Sequence, residues 1–91
     1  MFEDIKHIDD NNKEYWLARE LKTILGYHQW RSINDLIERA KIACNESKYN
    51  INDHFAEQRK MVDIESKKKR KVLEYKLSRY ACYLIVKGNR S

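Results

Sequence analysis

Two runs of strand-like alternation flank a lysine-rich tip, and this pattern constrains the fold more than any other stretch of the chain. Apolar and polar residues alternate over residues 61–64 and again over residues 72–77, and residues 65–71 between them read Glu-Ser-Lys-Lys-Lys-Arg-Lys. Such an arrangement is typical of an antiparallel β-hairpin. We expect one face to hold the apolar set Val62, Ile64, Leu73, Tyr75 and Leu77, and the other to point Asp63, Glu74 and Lys76 outward.

The tip also concentrates the charge of the chain. From Arg59 to Lys71 there are seven basic residues and two acidic ones, a balance of +5 that equals the formal net charge of the whole chain. The totals of 19 basic and 14 acidic residues therefore leave twelve of each elsewhere. A neutral body with one cationic projection suits a polyanionic partner, most commonly nucleic acid. We predict DNA contacts from Lys67, Lys68, Lys69, Arg70 and Lys71, with further contacts from Arg59, Lys60 and Arg31.

Other interpretations of the tip remain open. Lysines can simply keep an edge strand from aggregating. In the main alternative function, the chain is a protein-interaction module whose tip meets acidic side chains on a recombinase filament or a repressor. Phosphate contacts position a protein without reading sequence, so base specificity would have to come from elsewhere, with Arg31 and the polar face of a helix as candidates.

The rest of the chain predicts one hairpin and three helices. Turn formers at 9–12 separate two short strand-like runs, and five acids against two lysines in residues 1–14 suggest that this first hairpin faces away from nucleic acid. Apolar residues at helical spacing predict helices over residues 17–25 and 30–44, with Gly26 as a left-handed cap after the first. A third helix follows Ser78 and ends near Gly88. It carries seven consecutive apolar or aromatic residues, so we expect it to be largely surrounded.

These elements predict a small single α+β domain over residues 1–91, with about three helices and two β-hairpins. The first two helices, joined through Gly26-Tyr27, loosely resemble a helix-turn-helix or winged arrangement, although Lys22 stands where that motif usually has a small residue. The alternative is that both helices are core framework. Tyr27, His28 and Trp30 lie close together near Arg31 and could stack on single-stranded bases, or they could pack in the core.

The apolar phases of the elements predict the core. Its expected members are Trp16, Leu21, Ile24, Leu25, Ile33, Ile37, Leu73, Tyr75, Leu84 and Ile85. The two cysteines, Cys44 and Cys82, sit in apolar helical patterns without a preceding signal peptide, which favours reduced, buried thiols in a cytoplasmic protein. No apolar run approaches the ~20 residues that a membrane span needs.

The sequence contains only weak motifs for a catalytic site or a metal site. Asp53 with Glu65-Ser66-Lys67 mimics the carboxylate and lysine spacing of metal-dependent nucleases, but the second part falls on a turn tip rather than a buried strand. Cys44 and Cys82 lack the paired Cys-x-x-Cys spacing of zinc sites. We therefore predict a protein that is not an enzyme and that carries no cofactor and no metal.

Six blocks of sequence carry a family resemblance: Phe2-Glu3-Asp4-Ile5, Tyr15-Trp16, Ala18-Arg19-Glu20-Leu21, Leu25-Gly26-Tyr27, Asp53-His54-Phe55 and the eleven residues from Tyr75 to Ile85. Together they resemble the N-terminal part of the DNA-damage-inducible protein D family, which is related to the BRO family N-terminal domain of phage antirepressors and viral proteins. The resemblance implies a bacterial or phage DNA-binding module of the damage (SOS) response. It also implies a fragment of a longer protein, since the family continues past the position of Arg90. The tip is more basic than the family pattern requires, so its role is argued from charge alone.

Overall fold

Two pairs of strands flank three consecutive helices, and a last helix follows, in the order β-β-α-α-α-β-β-α. The structure is a computed structural model that describes residues 2–65 and 68–89. After a short 3-10 turn at Glu3–Ile5, the elements are β1 (His7–Ile8), β2 (Glu14–Leu17), α1 (Ala18–Ile24), α2 (Trp30–Glu46), α3 (Ile51–His54), β3 (Phe55–Asp63), β4 (Lys69–Leu77) and α4 (Arg79–Asn89). This confirms the α+β class and both hairpins. The one-turn helix α3 is not among the helices that the sequence predicts.

The four strands form one antiparallel sheet in the order β1-β2-β4-β3. Trp16 of β2 lies opposite Leu77 of β4, and this pairing joins the two hairpins that the sequence predicts separately. Because Leu17 pairs with Lys76 while β2 runs antiparallel to β4, the acidic β1–β2 turn points away from the lysine-rich end of β4. The acidic β1–β2 turn and the lysine-rich end of β4 therefore lie at the two far ends of the sheet.

Local sequence signals account for the ends of the helices. Gly26, at φ +84°, closes α1 with two hydrogen bonds, from its own N–H to the Thr23 carbonyl and from the Tyr27 N–H to the Lys22 carbonyl. This is the Schellman arrangement, and it favours glycine at the left-handed position. Ser78 caps α4, since its Oγ accepts the Ala81 N–H at 3.0 Å, as the sequence predicts.

The core lies between the sheet and the helices and contains most of the predicted residues. Six of them are buried: Trp16, Leu21, Ile33, Ile37, Tyr75 and Ile85. The other four, Ile24, Leu25, Leu73 and Leu84, are only partly buried. Phe55 and Leu77, which lie opposite each other at the base of the second hairpin, are also buried. Leu77 lies on the face predicted to be apolar, whereas Phe55 was not predicted to be in the core. Of the seven consecutive apolar or aromatic residues of α4, six are buried or half-buried, and Tyr83 is 59% exposed, so the helix is surrounded except on the side of Tyr83.

The register of β3 and β4 corrects the predicted faces of the hairpin. Val62 lies opposite Arg70, so by alternation it shares the face of Glu74, and not that of Tyr75. Ile64 lies beyond the end of β3 and is 52% exposed. The outward position predicted for Glu74 is also wrong, because its side chain is buried and only 1% exposed.

Candidate nucleic-acid interface

The β3–β4 hairpin is the most extended feature of the molecule. Its nine residue pairs run from Phe55 opposite Leu77 at the base to Asp63 opposite Lys69 at the outer end. At about 3.3 Å per residue, each strand is about 30 Å long. The base is buried in the core, whereas residues 59–61 of β3 and 69–71 of β4 are exposed. The hairpin therefore presents its outer half to solvent while its base is held by the body.

Two backbone hydrogen bonds close the outer end of the hairpin. The Lys68 N–H donates to the Glu65 carbonyl at 2.8 Å, and the Ile64 N–H donates to the Lys68 carbonyl at 3.1 Å. Lys67, predicted as a DNA contact, lies outside the described residues. The backbone of the described residues thus continues the ladder past the last strand pair toward the turn.

The other cations predicted on the hairpin are all exposed and close to one another along the ribbon. They are Arg59, Lys60, Lys68, Lys69, Arg70 and Lys71. Within residues 2–65 and 68–89, no ion pair joins any of them to a carboxylate, although Asp63 lies directly across from Lys69. The described ion pairs instead belong to the body, as between Lys41 and Glu38. The positive charge of the hairpin is therefore not neutralised by the described part of the chain.

A buried carboxylate fixes the hairpin to the start of α1. Glu74 Oε1 accepts the Arg19 N–H at 3.1 Å and the Tyr75 N–H at 3.0 Å. Arg19 is the second residue of α1, so this bond satisfies one of the donors that a helix leaves free at its N-terminus. Glu74 thus caps α1 from a neighbouring strand. An acid in an alternating strand carries no sequence signal for this role.

Arg19 makes a second connection, between β4 and α2. Its Nε donates to the Leu73 carbonyl at 3.0 Å, and its guanidinium lies 4.2 Å from the centre of the Trp30 ring. The first turn of α2, which carries the exposed Arg31, is thereby held near the middle of β4. Trp30 is half-buried and covered by Arg19, which leaves it less available as a platform for bases. Sequence reasoning missed Arg19, because a lone arginine on a helix usually lies in solvent.

The exposed face of α2 carries charged side chains of both signs. Its exposed charged residues are Arg31, Arg39, Asp35, Glu38 and Glu46. A helix that approaches DNA phosphates benefits from a positive surface, and three acids against two arginines do not supply one. Among the described residues, the exposed cations are therefore concentrated on the hairpin rather than on α2, and both the hairpin contact and the helix-turn-helix contact stay predictions.

The alternative chemical sites are not assembled. Asp53 lies in α3 before β3 begins, and Glu65 lies beyond the far end of that strand, so the nuclease-like carboxylates are separated by the length of the strand. Cys44 and Cys82 are free and buried. Over the described ranges, three or more histidine, cysteine or acidic side chains never come together in a group that could hold a metal ion. In the same ranges we find no helix long and apolar enough to cross a membrane.

Comparison with known proteins defines the class of this α+β domain. The family described as "BRO family, N-terminal domain" matches residues 4–91, and the chain belongs to this family. It is also 48% identical over 87 residues to DNA damage-inducible protein D of Escherichia coli (strain K12). That alignment covers 96% of this chain and 32% of the relative, so the chain spans about a third of its length. No solved structure matches the chain.

Proposed function

We propose that this domain is a non-enzymatic DNA-binding module that contacts phosphates through the outer half of the β3–β4 hairpin. The observation that carries the proposal is the set of six exposed cations on one ribbon, none of them paired with a carboxylate in the described chain. Mutual repulsion among these side chains is relieved when a polyanion binds. The acidic β1–β2 turn lies at the other end of the sheet, so its negative charge does little to repel DNA that binds at the hairpin.

The similarity to DNA damage-inducible protein D supports a role in a damage response or an antirepressor-like role. We place this role in the cytoplasm, as the sequence predicts. In this proposal the hairpin supplies affinity and orientation, since phosphate contacts carry no sequence information. Arg31, at the start of α2, is the candidate for an additional contact. Lys67 remains a predicted contact that lies outside the described residues.

A charge-matched pair of variants tests the proposal. The hairpin variant changes Lys68, Lys69, Arg70 and Lys71 to Ser, and the control changes four exposed cations of the body, Lys13, Arg39, Lys48 and Lys87, to Ser. Each phosphate contact contributes about 0.9 to the slope of log affinity against log salt on duplex DNA. If about three of the four cations reach phosphates together, the hairpin variant flattens the slope by about 2–3 units. The control should keep most of the wild-type slope.

Equal slopes in the two variants would contradict a hairpin interface. A wild-type domain that binds neither duplex nor single-stranded DNA at ~50 mM salt would contradict DNA binding altogether, because non-specific electrostatic binding is strong under that condition.

A second candidate function is a protein-interaction module that docks on a recombinase filament or a repressor. Two apolar side chains near the outer end of the hairpin, Met61 and Ile64, are each 52% exposed. Exposed apolar side chains among cations suit a partner surface that combines acidic and apolar groups. This candidate predicts loss of the protein partner in the hairpin variant and little DNA affinity even in the wild-type domain.

A further inference from the structure

We propose that the hairpin enters the major groove of duplex DNA end-on, with its two faces turned toward the two phosphate backbones. This inference rests on the proposed DNA-binding function and names the form of DNA and the groove. It follows from the way the register distributes the cations, from the thickness of the ribbon and from its length.

The cations lie on both faces of the ribbon. Side chains alternate along each strand, and residues that lie opposite each other share a face. Leu73 lies opposite Arg59, so one face carries Arg59, Lys69 and Lys71. The other face carries Lys60, opposite Val72, and Arg70, opposite Val62. A ribbon lying flat on DNA would leave one of these sets in solvent, whereas a ribbon between two phosphate backbones uses both.

The thickness of the ribbon selects the groove. Packed sheets lie about 10 Å apart, which approximates the thickness of one sheet with side chains on both faces. The major groove of B-DNA is about 12 Å wide and admits a two-stranded ribbon, whereas the minor groove is about 6 Å wide. A ribbon with long side chains on both faces therefore fits end-on only in the major groove.

The length of the charged segment brings cations to the level of the phosphates. The major groove is about 8.5 Å deep, which corresponds to between two and three residues of strand at about 3.3 Å each. The Ile64 N–H donates to the Lys68 carbonyl, so the ladder continues past Lys69, and the end of the hairpin beyond it would take up much of this depth. Lys69, Arg70 and Lys71 would then lie toward the mouth of the groove, where cations of both faces reach phosphates.

Two double variants test whether both faces are used. Lys69→Ser with Lys71→Ser removes two cations from one face, and Lys60→Ser with Arg70→Ser removes two from the other. If both faces meet phosphates, each pair flattens the salt slope by about 1–2 units. If one pair has the full effect and the other has none, the hairpin lies flat on DNA, which refutes insertion but leaves the proposed function intact.

Groove-specific competitors give an independent test with the unmodified domain. Methyl green occupies the major groove and netropsin the minor groove, so a fluorescently labelled random duplex is titrated with the domain in the presence of each. We expect methyl green to weaken binding severalfold and netropsin to leave it unchanged. The opposite pattern, or binding to single strands as tight as to duplex, overturns the major-groove proposal alone. Failure to bind any DNA instead refutes the proposed function.

Discussion

Replacing Glu74 with Ala tests whether a buried carboxylate joins the hairpin to the body. The substitution removes the acceptor for two backbone donors, the N–H groups of Arg19 and Tyr75. The residue is only 1% exposed, so water does not readily replace the lost partner. The N-terminus of α1 then loses its cap, and α1 loses its polar connection to β4.

The expected magnitude follows from these bonds. Hydrogen bonds to a charged group contribute about 1.5–3 kcal/mol each. Part of this loss is offset, because Glu74 Oε2 is buried without a partner in the described part of the chain and its removal relieves an unfavourable burial. We therefore expect a net loss of about 2–4 kcal/mol in the free energy of unfolding, a large share of the ~5–15 kcal/mol that holds a typical domain together.

Urea unfolding followed by circular dichroism measures this loss. With a slope of about 1–2 kcal/mol per molar urea for a chain of this size, the midpoint should fall by about 2 M. Glu57→Ala is the matched control, because Glu57 is an exposed glutamate on the neighbouring strand, where a substitution should change stability by no more than about 0.5 kcal/mol. Glu74→Gln keeps an oxygen acceptor and should lie between the two. A Glu74→Ala midpoint equal to that of Glu57→Ala would refute the capping role.

Three further predictions concern the body of the domain. Ile37→Ala removes a fully buried side chain and should cost about 2–5 kcal/mol, so an unchanged unfolding midpoint would show that the core is misassigned. Burial raises the pKa of the Cys44 thiol, and burial also raises the pKa of the Cys82 thiol, to about 12. Neither should therefore react with iodoacetamide at pH 8 until the protein is denatured, and rapid native labelling detected by mass spectrometry would contradict this. A side-chain hydrogen bond from Arg79 lowers the pKa of Glu14, so this pair should stabilise the fold above the ordinary glutamate pKa of about 4.3 and lose that effect as pH falls through the lowered value. Glu14→Gln should therefore be less stable than wild type at pH 7 and equal to it in strong acid, and a gap that persists in acid would point to another cause.

Elements with one buried face could be predicted from the sequence. The helical spacing from Trp30 to Cys44 identified α2, which ends two residues later at Glu46, and Gly26 marked the end of α1. Both signals are local, because they depend on neighbours within one or two turns. On these helices Leu21, Ile33 and Ile37 are buried as predicted, whereas Ile24 at the end of α1 is only partly buried.

Strand β3 shows where pattern reasoning fails. It spans nine residues, but only residues 61–64 alternate in the way that predicts a strand. From Ala56 to Lys60 the side chains are exposed or half-buried on both faces, so burial imposes no alternation and the sequence carries no strand signal there. The register could not be derived for the same reason, so the predicted face of Val62 was wrong. Glu74 does lie on the face opposite Tyr75, but the start of α1 packs there and buries it.

The candidate site, like the fold, could be predicted from the sequence only in part. The cluster of cations could be read directly from composition, and the exposed positions of Lys68 to Lys71 agree with that reading. Their distribution over two faces depends on the register, which only the structure supplies. The connection through Arg19 and Glu74, residues 55 positions apart, depends on tertiary packing that no local pattern encodes.

The pairing of β2 with β4 gives the domain a high contact order. Trp16 and Leu77 are about 60 positions apart, so the chain must lose much of its conformational freedom before they meet. The β3–β4 ribbon needs only a short turn and can close within about 1–10 μs, whereas non-local pairing makes folding slow. We expect the docking of the N-terminal hairpin on β4 to limit the folding rate. The cationic ribbon would then form before the core closes, so an anionic surface could capture it while the domain is still folding.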